Sequence, residues 1–188
     1  MPRRGLDTAA VVAAAAELAD DEGLPALTLS GLADRLGIRA PSLYAHVSGL
    51  ADLRRGVAAL AARELAGALR QEAAGRAGHD ALSAVAGAYR AYAREHPGRY
   101  LAMQRAPDEP GEDADAAAEL YSVIRATLSA YGLGGESEVH GIRAVRATLH
   151  GFAALEQAGG FAMPVSTDAS YARLIEFLHL GLTELGRG

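Results

Sequence analysis

Thr28–Val47, TLSGLADRLGIRAPSLYAHV, is the stretch whose reading decides the fold. Leu29, Leu32, Ala33 and Leu36 recur at helical spacing and give one apolar face. Thr28 precedes the run and can cap it with its hydroxyl. Gly37 follows, where a helix can leave through a left-handed turn. Ile38 is placed to plug the gap before a second short helix from about Ala40 to His46, with Pro41 in its first turn. Leu43 and Val47 point inward on this reading. Ser42, Tyr44 and His46 face outward, with Arg39 at the leading end. Two short helices joined tightly, with polar and aromatic groups on the outer face of the second, form a unit able to enter the DNA major groove. An ordinary helical hairpin with solvated polar residues would give the same local pattern.

The preceding segment favours the first alternative. About Thr8 to Glu22 reads as an amphipathic helix with Val11, Val12, Ala15 and Leu18 apolar and Gly23 at its end. One packing helix plus a helix-turn-helix makes a minimal DNA-binding head. Gly23, Leu27-Thr28-Leu29, Leu32 to Ile38, and Pro41 to Val47 together resemble the tetracycline-repressor (TetR/AcrR) family of transcriptional regulators over about residues 8 to 55. The likeness departs at Arg39, where the family usually has Ser or Thr, and at Val47, where it has Phe. It departs also at Leu50, often a phosphate-contacting Lys in the family. HGFAALEQAGGF (150–161) and EHPGRYLAM (95–103) resemble the C-terminal domain of the same family and extend the likeness over nearly the whole chain.

Composition sets outer limits. The 188 residues suffice for one large or two small domains. There is no cysteine, so no disulfide, thiol nucleophile or Cys-based zinc site, which fits a reducing cytoplasm. No apolar run is long enough to span a membrane, and Pro2-Arg3-Arg4 does not open a signal peptide. All 18 basic residues are arginine, as in proteins of GC-rich genomes. The net charge of −5 argues against indiscriminate nucleic-acid binding, but a sequence-specific reader needs only a local basic patch. Arg3, Arg4 and Arg39 can supply one, with Arg35, Arg54 and Arg55 near it.

The rest of the chain reads as a succession of helices: Leu50 to about Glu72, Asp80 to Glu95, a short helix through Arg105 after His96-Pro97-Gly98, Ala114 to Tyr131, Glu136 to about Ala158, and Ser170 to Leu185. Ala106 to Asp113 is a Pro/Gly/acidic loop. No period-two strand and no repeat is present. The expected fold is therefore all-α, with a three-helix helix-turn-helix head over residues 1–50 and a helical regulatory and dimerisation body over 51–188.

On the head, the residues expected at DNA are Thr28, Arg39, Ala40, Pro41, Ser42, Tyr44 and His46, with Arg3 and Arg4 from the N-terminal arm. In the body, Tyr89, Tyr92, Tyr100, Met103, Tyr121, His150 and Phe161 could wall a pocket for a small, mostly apolar ligand; equally, they could be core residues whose polar tips find backbone partners. Wide apolar faces on the last two long helices include Leu149, Phe152, Leu174, Phe177, Leu178 and Leu182. These fill a monomer core or pair with a second copy, and the family likeness implies pairing. Six scattered histidines have no metal-ligand spacing, Gly132 to Gly135 lacks the strand a phosphate loop needs, and no catalytic motif occurs.

The expected function is a cytoplasmic, cofactor-free, dimeric repressor that leaves a palindromic double-stranded DNA operator when a small apolar effector binds. The competing readings are a helical small-molecule-binding protein or enzyme whose head is only a packing module, and a dimeric adaptor that binds protein alone.

Overall fold

In the computed structural model, which describes residues 6–105 and 110–187, every regular element among the described residues is helical. The α-helices are α1 (Thr8–Glu22), α2 (Leu29–Leu36), α3 (Leu50–Ala73), α4 (Gly78–Glu95), α5 (Pro97–Ala102), α6 (Glu112–Leu128), α7 (Glu136–Gln157) and α8 (Thr167–Leu185). Short 3-10 turns occupy Leu24–Ala26, Ala40–Ala45 and Ser129–Tyr131. The chain divides into two compact units, Met1–Glu64 with His96–Ala118, and Leu65–Glu95 with Glu119–Gly188.

Local chemistry explains the ends of the first unit's helices. Asp7 caps α1 by accepting the Ala10 N–H at 2.8 Å. Thr28 caps α2 by accepting the Gly31 N–H at 3.1 Å. Gly37 then takes the left-handed conformation, φ 66°, that a side chain would strain, and the chain leaves α2. The core that joins these elements is built from Val11, Ala15, Leu18, Leu27, Leu32, Leu43, Val47, Leu53 and Val57, all buried, with Leu36, Ile38 and Leu50 packed at its edge. Each fully buried Leu or Val contributes about 1.5–3 kcal/mol. That is ample to hold segments too short to be helical alone.

Helix α5 lies on α1. Asp20 of α1 accepts the Arg99 backbone N–H at 2.9 Å and pairs with the Arg99 guanidinium at 3.0 Å and with His96 at 3.3 Å. An anionic cap is thus supplied to α5 by another helix, at the end where its dipole favours negative charge. The other side of Arg99 meets Glu64 at 3.3 Å. Gly98 allows the approach, since a Cβ there would stand 2.0 Å from the Ala19 carbonyl oxygen.

In the second unit α4 packs on α7 and α8 around Leu82, Val85, Tyr89, Val145, Leu149, Phe152, Tyr171, Ile175 and Leu182. Arg90 is buried among them and fully engaged. It donates to both carboxylate oxygens of Glu156, meets Asp168 at 2.8 Å, and lies over the rings of Phe152 and Tyr171. The Tyr171 hydroxyl donates to the Ala86 carbonyl at 2.7 Å, and Gln157 donates to that of Ala93 at 2.6 Å. Tyr131 meets His179 at 2.9 Å. These bonds satisfy Arg90, the Tyr171 hydroxyl and the Gln157 amide and tie α4 to α7 and α8.

Several element boundaries differ from the sequence reading. The segment after Arg39 is a 3-10 turn, closed by Ser42 N–H to Arg39 and His46 N–H to Leu43 bonds. The helix after His96 stops at Ala102, short of Arg105. Helix α6 begins at Glu112, with acidic residues in its first turn, where the dipole favours them. Helix α8 starts at Thr167 because Ser166 caps it by accepting from Ala169.

Candidate nucleic-acid interface

The Ala40–Ala45 turn has two sides with opposite fates. Leu43 and the following Val47 are buried in the head core. Arg39, Pro41 and Ser42 are exposed, and Tyr44 retains 61% of its surface. A large aromatic residue is thus left open beside a wholly buried leucine. Ala40 is half-buried against the core, and Thr28 remains exposed while capping α2, its hydroxyl 3.3 Å from that of Ser30. His46 is half-buried, and its carbonyl accepts the Thr8 hydroxyl at 3.3 Å, which ties the end of the turn to α1. Arg3 and Arg4 lie outside the described residues.

The other arginines of the head separate into tied and free. Arg35 is held by Asp21 at 2.8 Å, with Glu17 beyond at 3.6 Å. Arg55 is held by Asp52 at 2.8 Å. The same Asp52 carboxylate accepts the Ser48 N–H at 2.9 Å ahead of α3. That backbone bond, more than the nearby Arg55 charge, keeps its pKa below the ordinary carboxylate value. This sorting was invisible in the sequence, where all of these arginines counted alike.

The body residues proposed as pocket walls divide between the units. Tyr100 and Met103 are in the first, Tyr100 buried and Met103 packed on Ala59, Ala62 and Ala116. The other five are in the second. Tyr89 and Tyr92 are buried on α4. Tyr121 is exposed, with its hydroxyl accepting from Arg146 and the guanidinium 5.6 Å above its ring. His150 is half-buried; burial, reinforced by the Arg146 charge, lowers its pKa. Phe161 stacks on Phe152 at 4.7 Å, which in turn meets Tyr171 at 4.7 Å. Tyr92 lines an open cleft of about 570 Å³ between α3 and α4, together with Ala84, Ala88, Ala91 and Glu95.

Of the apolar residues proposed for subunit pairing, Leu149, Phe152 and Leu182 are buried within the second unit itself. Leu174 and Leu178 are half-buried, and Phe177 keeps 69% of its surface. Leu155, Leu180, Met163 and Val165 are also exposed. Among the described residues no group of three His, Asp or Glu side chains is arranged to hold a metal ion, and no helix is long and apolar enough to cross a membrane.

Known proteins resemble this chain in sequence and in fold. Residues 82–178 match the family model described as tetracyclin repressor-like, C-terminal domain. An uncharacterized HTH-type transcriptional regulator of Mycobacterium tuberculosis is 39% identical over 180 residues, 94% of this chain and 82% of that protein. The HTH-type transcriptional regulator YobS of Bacillus subtilis, also uncharacterized, is 33% identical over 156 residues, 82% of this chain and 81% of the other. A crystal structure of a TetR variant from Acinetobacter baumannii AYE in complex with minocycline superposes with a TM-score of 0.72. It is 24% identical and covers 96% of this chain and 98% of that one, a likeness of fold.

Proposed function

Because the chain belongs to the tetracycline-repressor-like family of HTH-type, DNA-binding transcriptional regulators, we propose that it acts in the cytoplasm as a dimeric repressor, released from a palindromic operator by a small, mostly apolar molecule. The observation that carries the DNA-reading role is the two-sided Ala40–Ala45 turn, locked inside by Leu43 and open outside at Arg39, Ser42 and Tyr44. A rigid inner face lets a short turn present polar groups to base edges and phosphates without paying a large ordering cost on binding. On this reading residues 1–50 read DNA, with Thr28, Ala40, Pro41 and His46 bordering the contact and Arg3 and Arg4 reaching the backbone. Residues 51–188 sense and dimerise.

Pairing is supported by the apolar stripe of α8. Leu174, Phe177, Leu178 and Leu185 recur at helical spacing, and none is fully buried. With Leu155 of α7 exposed beside the loop that carries Met163 and Val165, the surface suits an isologous contact with a second copy. Two heads related by a two-fold axis would fit two half-sites of a palindrome. The effector would lie in the helical body near Tyr89, Tyr92, Tyr121 and His150. To shift the dimer from mostly bound to mostly free it must favour the released form by about 5 kcal/mol.

The test is a mobility-shift titration with the DNA that flanks the gene, together with sedimentation of the free protein. A saturable shift at one palindromic fragment by a dimer is the expected result. A monomer at micromolar concentration, or binding to no flanking fragment, overturns the proposal.

A further inference from the structure

We propose that Arg54, on the second turn of α3 and in the same compact unit as the head, extends the DNA-contacting surface past residue 50 as a phosphate anchor. The inference rests on the DNA-reading role proposed above. It follows from the way charges are shared within the first unit. Four arginines are described there before Arg63: Arg35, Arg39, Arg54 and Arg55. Arg35 is held by Asp21 and Glu17 across α1 and α2, and Arg55 by Asp52 within α3. Arg39 and Arg54 are exposed and have no hydrogen bond or ion pair among the described residues. A guanidinium paired with a carboxylate offers a phosphate a partly neutralised charge, whereas a free one offers its full charge and releases only water and counterions.

Placement makes the free guanidinium useful. Arg54 stands one turn after Leu50, so the two share a face of α3. Helical side chains lean toward the N-terminus, and the surface a residue covers lies over the turn that precedes it. That lean directs a side chain at Arg54 toward the start of α3. This start follows the Ala40–Ala45 turn after only His46 to Gly49. Leu50 offers no charge at that spot. Arg54 supplies one, at the positive end of a 24-residue helix where an anion is also favoured by the dipole. Asp52 has a complementary part: by holding Arg55 and the Ser48 N–H it keeps its own negative charge occupied.

A phosphate contact positions the head and carries no sequence information. Duplexes selected by the wild-type protein from a randomised library serve as probe, and affinity is measured by fluorescence anisotropy between about 0.05 and 0.2 M salt. Arg54→Ala should weaken binding on the order of tenfold at about 0.1 M salt. It should also make the log–log salt slope shallower by about 2, one phosphate for each half of a dimer. Arg54→Lys should restore the slope, and Arg55→Ala should change it little. The sequence enriched by Arg54→Ala should equal that of the wild type. Unaltered affinity and slope in Arg54→Ala overturn the anchor while leaving DNA reading intact, as does an altered selected sequence, which would make Arg54 a base reader. Failure of the wild type to enrich any duplex overturns the DNA-reading role itself. Equal melting temperatures of the variants show that fold is not the variable.

Discussion

Replacing Gly98 by alanine should force α5 off α1. The added carbon would stand 2.0 Å from the Ala19 carbonyl oxygen and 2.1 Å from its carbon, where a carbon–oxygen contact needs about 3.3 Å. The obstacle is backbone on both sides, so no rotamer change relieves it and the helices must part by about an ångström or more. Parting stretches the Arg99 N–H bond to Asp20, now 2.9 Å, a charge-assisted bond contributing about 1.5–3 kcal/mol. Residual overpacking adds about 1–3 kcal/mol, and the better helix propensity of alanine returns about 1. The net loss is about 1.5–5 kcal/mol. Urea unfolding followed by circular dichroism measures it, with Gly87→Ala as control, since a Cβ on that α4 glycine meets nothing within 4 Å. The control should be neutral or slightly stabilising. A Gly98→Ala protein within about 0.5 kcal/mol of wild type would refute the close-approach argument.

Tyr44→Ala should weaken operator binding by about 1–2 kcal/mol with little change in melting temperature, because most of the side chain is exposed; anisotropy titration checks it. Phe177→Glu should give folded monomer in sedimentation, since the side chain is 69% exposed in the single chain and the charge would be desolvated only on pairing. Glu156→Gln should cost about 1–3 kcal/mol at neutral pH, read by thermal unfolding. Arg90 donates to this carboxylate and holds its pKa below the ordinary 4.5. A depressed carboxylate contributes its stability fully above the ordinary value and loses it as pH falls through the folded one. The wild type should therefore lose stability from about pH 4.5 downward, and the Gln variant should lose less over the same range.

Much of the head was legible in the chain because its determinants are local. Thr28, Gly37 and Pro41 each act within one turn of themselves, and the alternation of Leu43 and Val47 with Ser42 and Tyr44 states which side is buried. The helical body was legible for the same reason: periodicity and glycine breaks mark α4, α6, α7 and α8 to within a few residues. Boundaries slipped by a few residues at helix ends, and caps supplied from distant parts of the chain were not legible. Helix α5 is capped by Asp20, 79 residues away in the chain, and no local pattern reveals such a cap.

Side-chain fate was decided by tertiary packing. The apolar residues of α8 include both Leu182, which is buried, and Phe177, which is exposed, and the sequence weights them alike because it shows the helix but not its neighbours. Arg90 reads as one more surface cation until Glu156, Asp168, Phe152 and Tyr171 are brought around it from other helices. Arg35 and Arg54 carry the same charge in the sequence, yet only the approach of α1 to α2 places Asp21 against the first and leaves the second open. The sequence alone thus determined the helices, their order and the outward face of the reading turn, since these follow from interactions within a few residues. Which arginines are free, which leucines are covered and which glycine is indispensable depend on groups far apart in the chain, and only the folded arrangement sets those distances.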